Sequence, residues 1–246
     1  MQTEPTHVEP LVQVRALTKS YGRFTAIRDL SFAIHPGEIL GLIGPNGAGK
    51  TTLFECLAGV QPHDAGTISF GQRGQSQPRS SVLFYVPDGI APWPHQTAEW
   101  GLQFTLGFWG GRRELYDDVV KDLGLAPLLS NRIGALSKGQ RKRFLLGVGL
   151  LTPQPLVIID EPFEGLDLRQ SRELEATLRK HVGLGRTLFL SIHQIADAAR
   201  ICDRFVLLSN GRLVAEGHLD DLTSMAVQRT GHLPNQDFEE IFLALT

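Results

Sequence analysis

Apolar residues fall into two kinds of run along the chain. Short unbroken blocks, Ile39–Ile43, Leu156–Ile159 and Thr187–Ile192, have the length and composition of strands covered on both faces. Val82-Leu83-Phe84-Tyr85-Val86 is a further strand, broken by Pro87. Residues 11–14, 31–34 and 67–70 are short strand candidates, and His35-Pro36-Gly37 turns the chain into the block at Ile39. Residues 204–208 and 212–215 read as a hairpin around Ser209-Asn210-Gly211. Between residues 89 and 136 the pattern changes. Apolar positions in 100–108 and 115–128 recur on a period of about 3.6, which predicts helices. Helical stretches also lead into Leu156 and Thr187. Strand–helix alternation on both sides of a helical insert predicts an α/β fold: a mainly parallel core sheet, an antiparallel β-subdomain and an inserted helical subdomain at about 89–136. Residues 61–64 and 71–81 read as loops. Residues 1–10 read as a disordered tail, 11–220 as the principal domain and 221–246 as a C-terminal helical extension. No internal repeat is visible.

Composition narrows the picture only a little. The chain has 246 residues, a formal charge of −2 and 42% apolar residues. That suits a packed globular domain and lacks the basic bias of a nucleic-acid binder, so no nucleic-acid partner is expected. Two cysteines, Cys56 and Cys202, sit in apolar surroundings without metal-ligand spacing and read as buried thiols in a reducing compartment. No run approaches the roughly 18 apolar residues of a membrane span, and residues 1–10 have no apolar core of a secretory signal. The expectation is a cytoplasmic chain that serves a membrane only through a partner.

The chemistry begins at Gly44-Pro45-Asn46-Gly47-Ala48-Gly49-Lys50-Thr51-Thr52, between a buried strand and the helical stretch Lys50–Ala58 that Gly59 stops. Glycine lets several backbone N–H groups turn toward one anion, and the helix N-terminus adds its partial positive charge there. Lys50 is a point charge for β- and γ-phosphates, and the Thr51 hydroxyl is a ligand for Mg²⁺. This is a complete phosphate-binding loop, so the core is expected to be a P-loop NTPase fold that binds a nucleoside triphosphate.

Two further constellations follow. The strand Leu156–Ile159 ends in Asp160-Glu161, and ligands of α/β sheets sit at the carboxyl ends of strands. Asp160 is thereby a candidate for Mg²⁺, and Glu161 for polarising an attacking water. Leu136-Ser137-Lys138-Gly139-Gln140 precedes a basic run and a long apolar one; Ser137 is a natural helix N-cap, and the helix start is a second anion site. One chain has one triphosphate pocket, so a second phosphate-gripping site implies two chains facing each other.

With these motifs in this order, the chain resembles the ATP-binding subunit of an ATP-binding cassette (ABC) transporter, from about residue 11 to 217. The resemblance implies ATP and Mg²⁺ as ligands, a transmembrane permease subunit and a second nucleotide-binding subunit as partners, and a place at the inner face of the cell membrane. It implies that Tyr21 stacks on adenine, and that Gly44, Asn46, Gly47, Gly49, Lys50, Thr51 and Thr52 cradle the phosphates. Ser137, Gly139 and Gln140 would grip ATP held by the other subunit. Asp167, in Glu164-Gly165-Leu166-Asp167, would communicate across the dimer, and His193 would contact the γ-phosphate and order the water near the base Glu161. Departures from the family pattern are Lys138 in place of a glycine, Glu164 where serine is frequent, and Asp88 in place of the glutamine that ligates Mg²⁺; Asp88 still offers an oxygen to the metal. The terminal segment 238–245 resembles the last helix of ABC-2-type exporters. A different class stays open: a soluble ABC ATPase that drives assembly of a cytosolic complex, as in iron–sulfur scaffolds. Trp93, Trp100 and Trp109, with Phe104 and Phe108, are expected mostly in the core of the helical insert, the alternative being a groove for a helix of the membrane partner.

Overall fold

The computed structural model describes residues 9–71, 76–231 and 238–246. Most of the expected disordered tail, part of the expected loop 71–81 and the middle of the C-terminal extension lie outside the described residues. The chain runs β1 (Val12–Tyr21), β2 (Phe24–Ile34), β3 (Ile39–Ile43), α1 (Lys50–Ala58), β4 (Ala65–Phe70), α2 (Arg79–Val82), β5 (Leu83–Val86), α3 (Ala98–Trp109), α4 (Tyr116–Asp122), α5 (Lys138–Leu151), β6 (Leu156–Ile159), α6 (Leu168–Gly183), β7 (Thr187–Ile192), α7 (Ile195–Ile201), β8 (Arg204–Ser209), β9 (Arg212–Gly217), α8 (Leu219–Thr230) and α9 (Phe238–Leu245).

The principal sheet has the order β5-β6-β7-β3-β8-β9. All its neighbours are parallel except β8 and β9, which form the expected hairpin. Alternate residues of its apolar blocks divide between two cores. Ile39, Ile43, Val157, Ile159, Leu188 and Leu190 face the helices. Leu40, Leu42, Leu156, Ile158 and Phe189 face α1 and the small antiparallel sheet β2-β1-β4. A strand buried on both faces shows no polar alternation, which is why these segments read as unbroken apolar blocks. Their five parallel carboxyl ends lie along one edge.

β1 and β2 are much longer than residues 11–14 and 31–34. The reason is a pair of bulges. Ala16 (φ 51°) and Asp29 (φ 53°) take left-handed backbone, and the register between β1 and β2 shifts between Val14 and Leu17. Each extra residue flips the side chains that follow to the other face, so alternation cannot be followed through it.

In the helical region, α3 turns Ala98, Gly101, Leu102, Thr105 and Leu106 inward. A Cβ on Gly101 would meet Phe144 of α5 at 2.7 Å, so the absent side chain is what lets the two helices approach. The aromatic residues take the opposite face. Trp93, Trp100, Phe104 and Phe108 are between 37% and 67% exposed and stack on one another in a row. The expectation that most of them form the subdomain core is thus corrected. A 3.6-residue period identifies a helix with two distinct faces, and here the small residues form the buried one. At the chain's end, α9 buries Phe238, Ile241, Phe242 and Leu245, with Phe238 against Phe205 of β8 at 4.5 Å.

Arg186, fully buried before β7, closes the end of α5 by donating to the carbonyls of Leu150 (2.9 Å), Thr152 and Gln154. Beside it His181 is 1% exposed, and burial, reinforced by the charges of Arg186 and Arg112, pushes its imidazole down to about 4. The unfolded chain therefore binds this proton at a higher pH than the folded one. Stability is fully present above the usual histidine value and lost as pH falls toward 4, on the order of 3 kcal/mol for this one group. Urea titrations across that window are expected to show the decline, and His181→Leu is expected to flatten it; an unchanged slope would place the acid sensitivity elsewhere.

Candidate functional site

The site is assembled where β3, β6 and β7 end side by side. β3 runs into the phosphate loop, and Gly49, at φ 103°, caps α1. A Cβ on Gly49 would meet the Ala26 carbonyl oxygen at 2.5 Å, and one on Gly44 the Leu208 carbonyl oxygen at 2.3 Å, so neither position admits a side chain without backbone movement. Lys50 is buried and folds back over the loop, donating to the carbonyls of Gly44 (2.7 Å) and Pro45 (3.2 Å). Desolvation lowers its ammonium below the usual lysine value, against the opposing pull of Glu161 and Asp160. Asn46, Gly47, Gly49, Lys50, Thr51 and Thr52 line one cleft together with Glu161.

Asp160 is buried just after β6 and reaches the phosphate loop through Thr51. Its two oxygens accept from Thr51 Oγ1 at 3.0 Å and from Ser191 Oγ on β7. Thr51 and Asp160 thus present two hard oxygen donors side by side, which suits Mg²⁺ with a phosphate and water completing the shell. Among the described residues no group of three or more His, Cys, Asp or Glu forms a self-sufficient metal cage. Glu161 follows in left-handed backbone, φ 48°. Its N–H donates to Ser191 Oγ at 2.9 Å, and its carbonyl accepts from Lys142 Nζ. Burial, then the neighbouring Glu164 and Asp160 charges, raise its carboxyl above the usual glutamate value. Glu161 also lines a second cleft with Glu164, Ser191 and His193, the last exposed just beyond β7. Glu161 thus borders both the cleft of the loop and the cleft of His193, and Asp160 reaches the loop through Thr51.

Other expected residues take more specific positions. Ser137 caps α5, accepting from Gln140 N at 3.3 Å, while Gln140 Oε1 accepts from Ser137 N at 3.0 Å. Gly139 is different from the loop glycines: a Cβ there would come no nearer than 3.9 Å to another part of the chain. Asp167 caps α6, accepting from Gln170 N at 2.8 Å. Tyr21 is half-exposed with the Lys19 ammonium 5.1 Å above its ring. It pairs across the β1–β2 turn with Phe24, and Phe24, 63% exposed, is the aromatic residue lining the phosphate cleft. Phe24 was not among the expected site residues; the two-residue turn after Tyr21 is the signal that places it there.

The departures from the family pattern meet in space. Lys138 pairs with Glu164 at 2.8 Å, and Asp88 pairs with buried Lys142 at 2.9 Å. No hydrogen bond or ion pair among the described residues joins Asp88 to Thr51 or Asp160; the lysine holds it instead.

A parallel sheet with a phosphate loop after its central strand, carboxylates at the neighbouring strand end and a helical insert defines a nucleotide-binding ATPase cassette. Comparison with known proteins agrees. The family described as ABC transporter matches residues 27–164. The chain is 30% identical over 222 residues to the linearmycin resistance ATP-binding protein LnrL of Bacillus subtilis, covering 87% of this chain and 71% of that one. It is 32% identical over 225 residues to the SkfA peptide export ATP-binding protein SkfE of the same organism, covering 89% and 94%. Against the maltose/maltodextrin import ATP-binding protein MalK of Escherichia coli it is 31% identical over 214 residues, spanning 84% of this chain but only 57% of MalK. A solved ATP-binding subunit of an ABC transporter superposes with a TM-score of 0.84 at 30% identity, covering 96% of this chain and 99% of that one. A nucleotide-free ATP-binding cassette at 21% identity, covering 85% and 91%, shares the fold with a TM-score of 0.71. The chain belongs to the ABC transporter family and is an ATP-binding, ATP-hydrolysing subunit that energises transport. Among the described residues no helix is long and apolar enough to cross a membrane.

Lys50→Met is expected to weaken binding of a fluorescent ATP analogue by at least about tenfold, the scale of a lost hydrogen bond between charged groups. Far-UV circular dichroism should stay native. Unchanged affinity would remove Lys50 from the phosphate site.

Proposed function

We propose that two cassettes meet head to tail and hydrolyse ATP between them, moving the helices of a permease in the direction of export. The observation that carries the hydrolytic part is that Thr51 and Glu161 line the phosphate cleft together while Thr51 is hydrogen-bonded to Asp160. ATP lies with its phosphates on the loop N–H groups and Lys50, and its base beside the aromatic pair Tyr21 and Phe24. Thr51 and Asp160 hold Mg²⁺, which offsets phosphate charge when bound. Asp88 is a further candidate oxygen ligand, on condition that it leaves Lys142. Glu161 takes a proton from the attacking water. The water oxygen bonds to the γ-phosphorus as the bridging oxygen of ADP leaves, and His193 holds the water and γ-phosphate in line.

The signature residues Ser137, Gly139 and Gln140, at the start of the signature helix α5, support the dimer. Gly139 has no positive φ and no close neighbour, so nothing among the described residues requires the absence of a side chain there. Close approach of another chain's phosphates supplies that requirement. The Ser137 hydroxyl at the start of α5 and the helix N-terminus would then face the partner's ATP, with Asp167 at the start of α6 near the contact. A two-fold axis makes the two sites equivalent if the chains are identical. Export is favoured by SkfE, which this chain matches along nearly its whole length, whereas MalK, a relative named for import, extends well beyond the matched region. The chain would work at the inner face of the membrane, held there by its permease.

Glu161→Gln is expected to retain ATP binding, to lower turnover by about a hundredfold or more, and to accumulate an ATP-bound dimer on size-exclusion chromatography. Captured from gently solubilised cells with ATP, it should bring down a polypeptide with several membrane spans. Normal turnover would remove Glu161 as base, and capture of soluble partners alone would favour an assembly ATPase over a transporter.

A further inference from the structure

Lys142 sits one turn into α5 with its side chain 7% exposed. A buried ammonium is costly unless its three N–H groups find acceptors. Here it is surrounded by three, one after β5 and two in the turn after β6. The Asp88 carboxylate, after β5, is 2.9 Å away. The Glu164 carboxylate, beyond β6, is 3.8 Å away. The carbonyl oxygen of Glu161 itself accepts a hydrogen bond from Lys142 Nζ. That carbonyl also accepts from Glu164 N at 3.2 Å. On the other side, the Glu161 N–H is fixed to Ser191 Oγ. Glu161 holds left-handed backbone at φ 48°, a conformation that non-glycine residues adopt only when their surroundings impose it. Lys142 and Ser191 are the two side chains that grip it, one on each flanking peptide group.

We infer that Lys142 is a positioning residue for the Glu161 carboxylate, tying it to the start of the signature helix and to Asp88. This rests on the reading of Glu161 as the base. Lys142 does not line the phosphate cleft; it acts through the backbone of Glu161, which does. Since Ser137 and Lys142 belong to the same helix, any tilt of α5 when a second cassette's ATP reaches Ser137 would move the grip on Glu161. The same ammonium holds Asp88, so the post-β5 segment, the signature helix and the catalytic strand end share one charged node.

The test is steady-state ATP hydrolysis by the purified chain and its Lys142→Met, Lys142→Arg and Glu161→Gln variants, with ATP-analogue binding and melting temperature measured on each. Lys142→Met is expected to lower kcat roughly tenfold or more, the scale of a lost charged hydrogen bond, with KM and analogue affinity within twofold of wild type. Lys142→Arg, which keeps the charge and the donors, is expected to recover part of kcat. A stability role alone would lower the melting temperature without changing kcat at temperatures where the protein stays folded, and that pattern would overturn the inference. So would wild-type kcat in Lys142→Met while Glu161→Gln is inactive. Wild-type turnover in Glu161→Gln would instead overturn the underlying reading of the base.

Discussion

The buried Asp160 carboxylate is the joint on which the site depends. Its two oxygens accept from Thr51, at the head of the first helix, and from Ser191, on the adjacent strand β7. A buried carboxylate without such donors would be strongly disfavoured. With them, it binds three strand ends into one arrangement. The sheet is parallel along β5-β6-β7-β3-β8, so these ends share an edge, and the loop, Glu161 and His193 inherit their places from it. Ser191 has a double part. It donates to Asp160 and accepts from the Glu161 N–H, so the positions of the two carboxylates are set by one hydroxyl.

The substitutions that depart from the family pattern look independent along the chain but form complementary pairs in the fold. A cation at 138 faces an anion at 164, and an anion at 88 faces a cation at 142. Lys138 lowers the Glu164 carboxyl, and Glu164 raises the Lys138 ammonium, by direct hydrogen bonding. The result is a charged seam linking the segment after β5, the signature helix and the turn before α6. A glycine and a glutamine at 138 and 88 would remove two of the three ion pairs in that seam and leave Lys142–Glu164, at 3.8 Å.

Much of the fold and the site was legible because its signals are local. The phosphate loop, the Asp-Glu strand end and the Ser-Lys-Gly-Gln helix start each occupy a few consecutive residues, and the strands covered on both faces announce themselves as apolar blocks. What could not be read depends on contacts between distant segments. The bulges at Ala16 and Asp29 broke the alternation in β1 and β2, so two long strands looked like two short ones. The helical period located α3 but could not say which face turns inward, because close packing at Gly101 decides that. Phe24 carries no motif of its own, and the Asp88–Lys142 pair joins residues more than fifty positions apart without a periodic signal in either.

The row of aromatic rings on α3 has an optical consequence. All three tryptophans of the chain, Trp93, Trp100 and Trp109, belong to the helical region and none to the strand core. Trp109 stands at the border, its ring 6.2 Å from and perpendicular to that of Phe84 on β5. The tryptophan emission of the chain therefore originates in a single subdomain, with one indole at its seam with the sheet. The protein carries its own dye for rotation of that subdomain against the core, already in place without labelling.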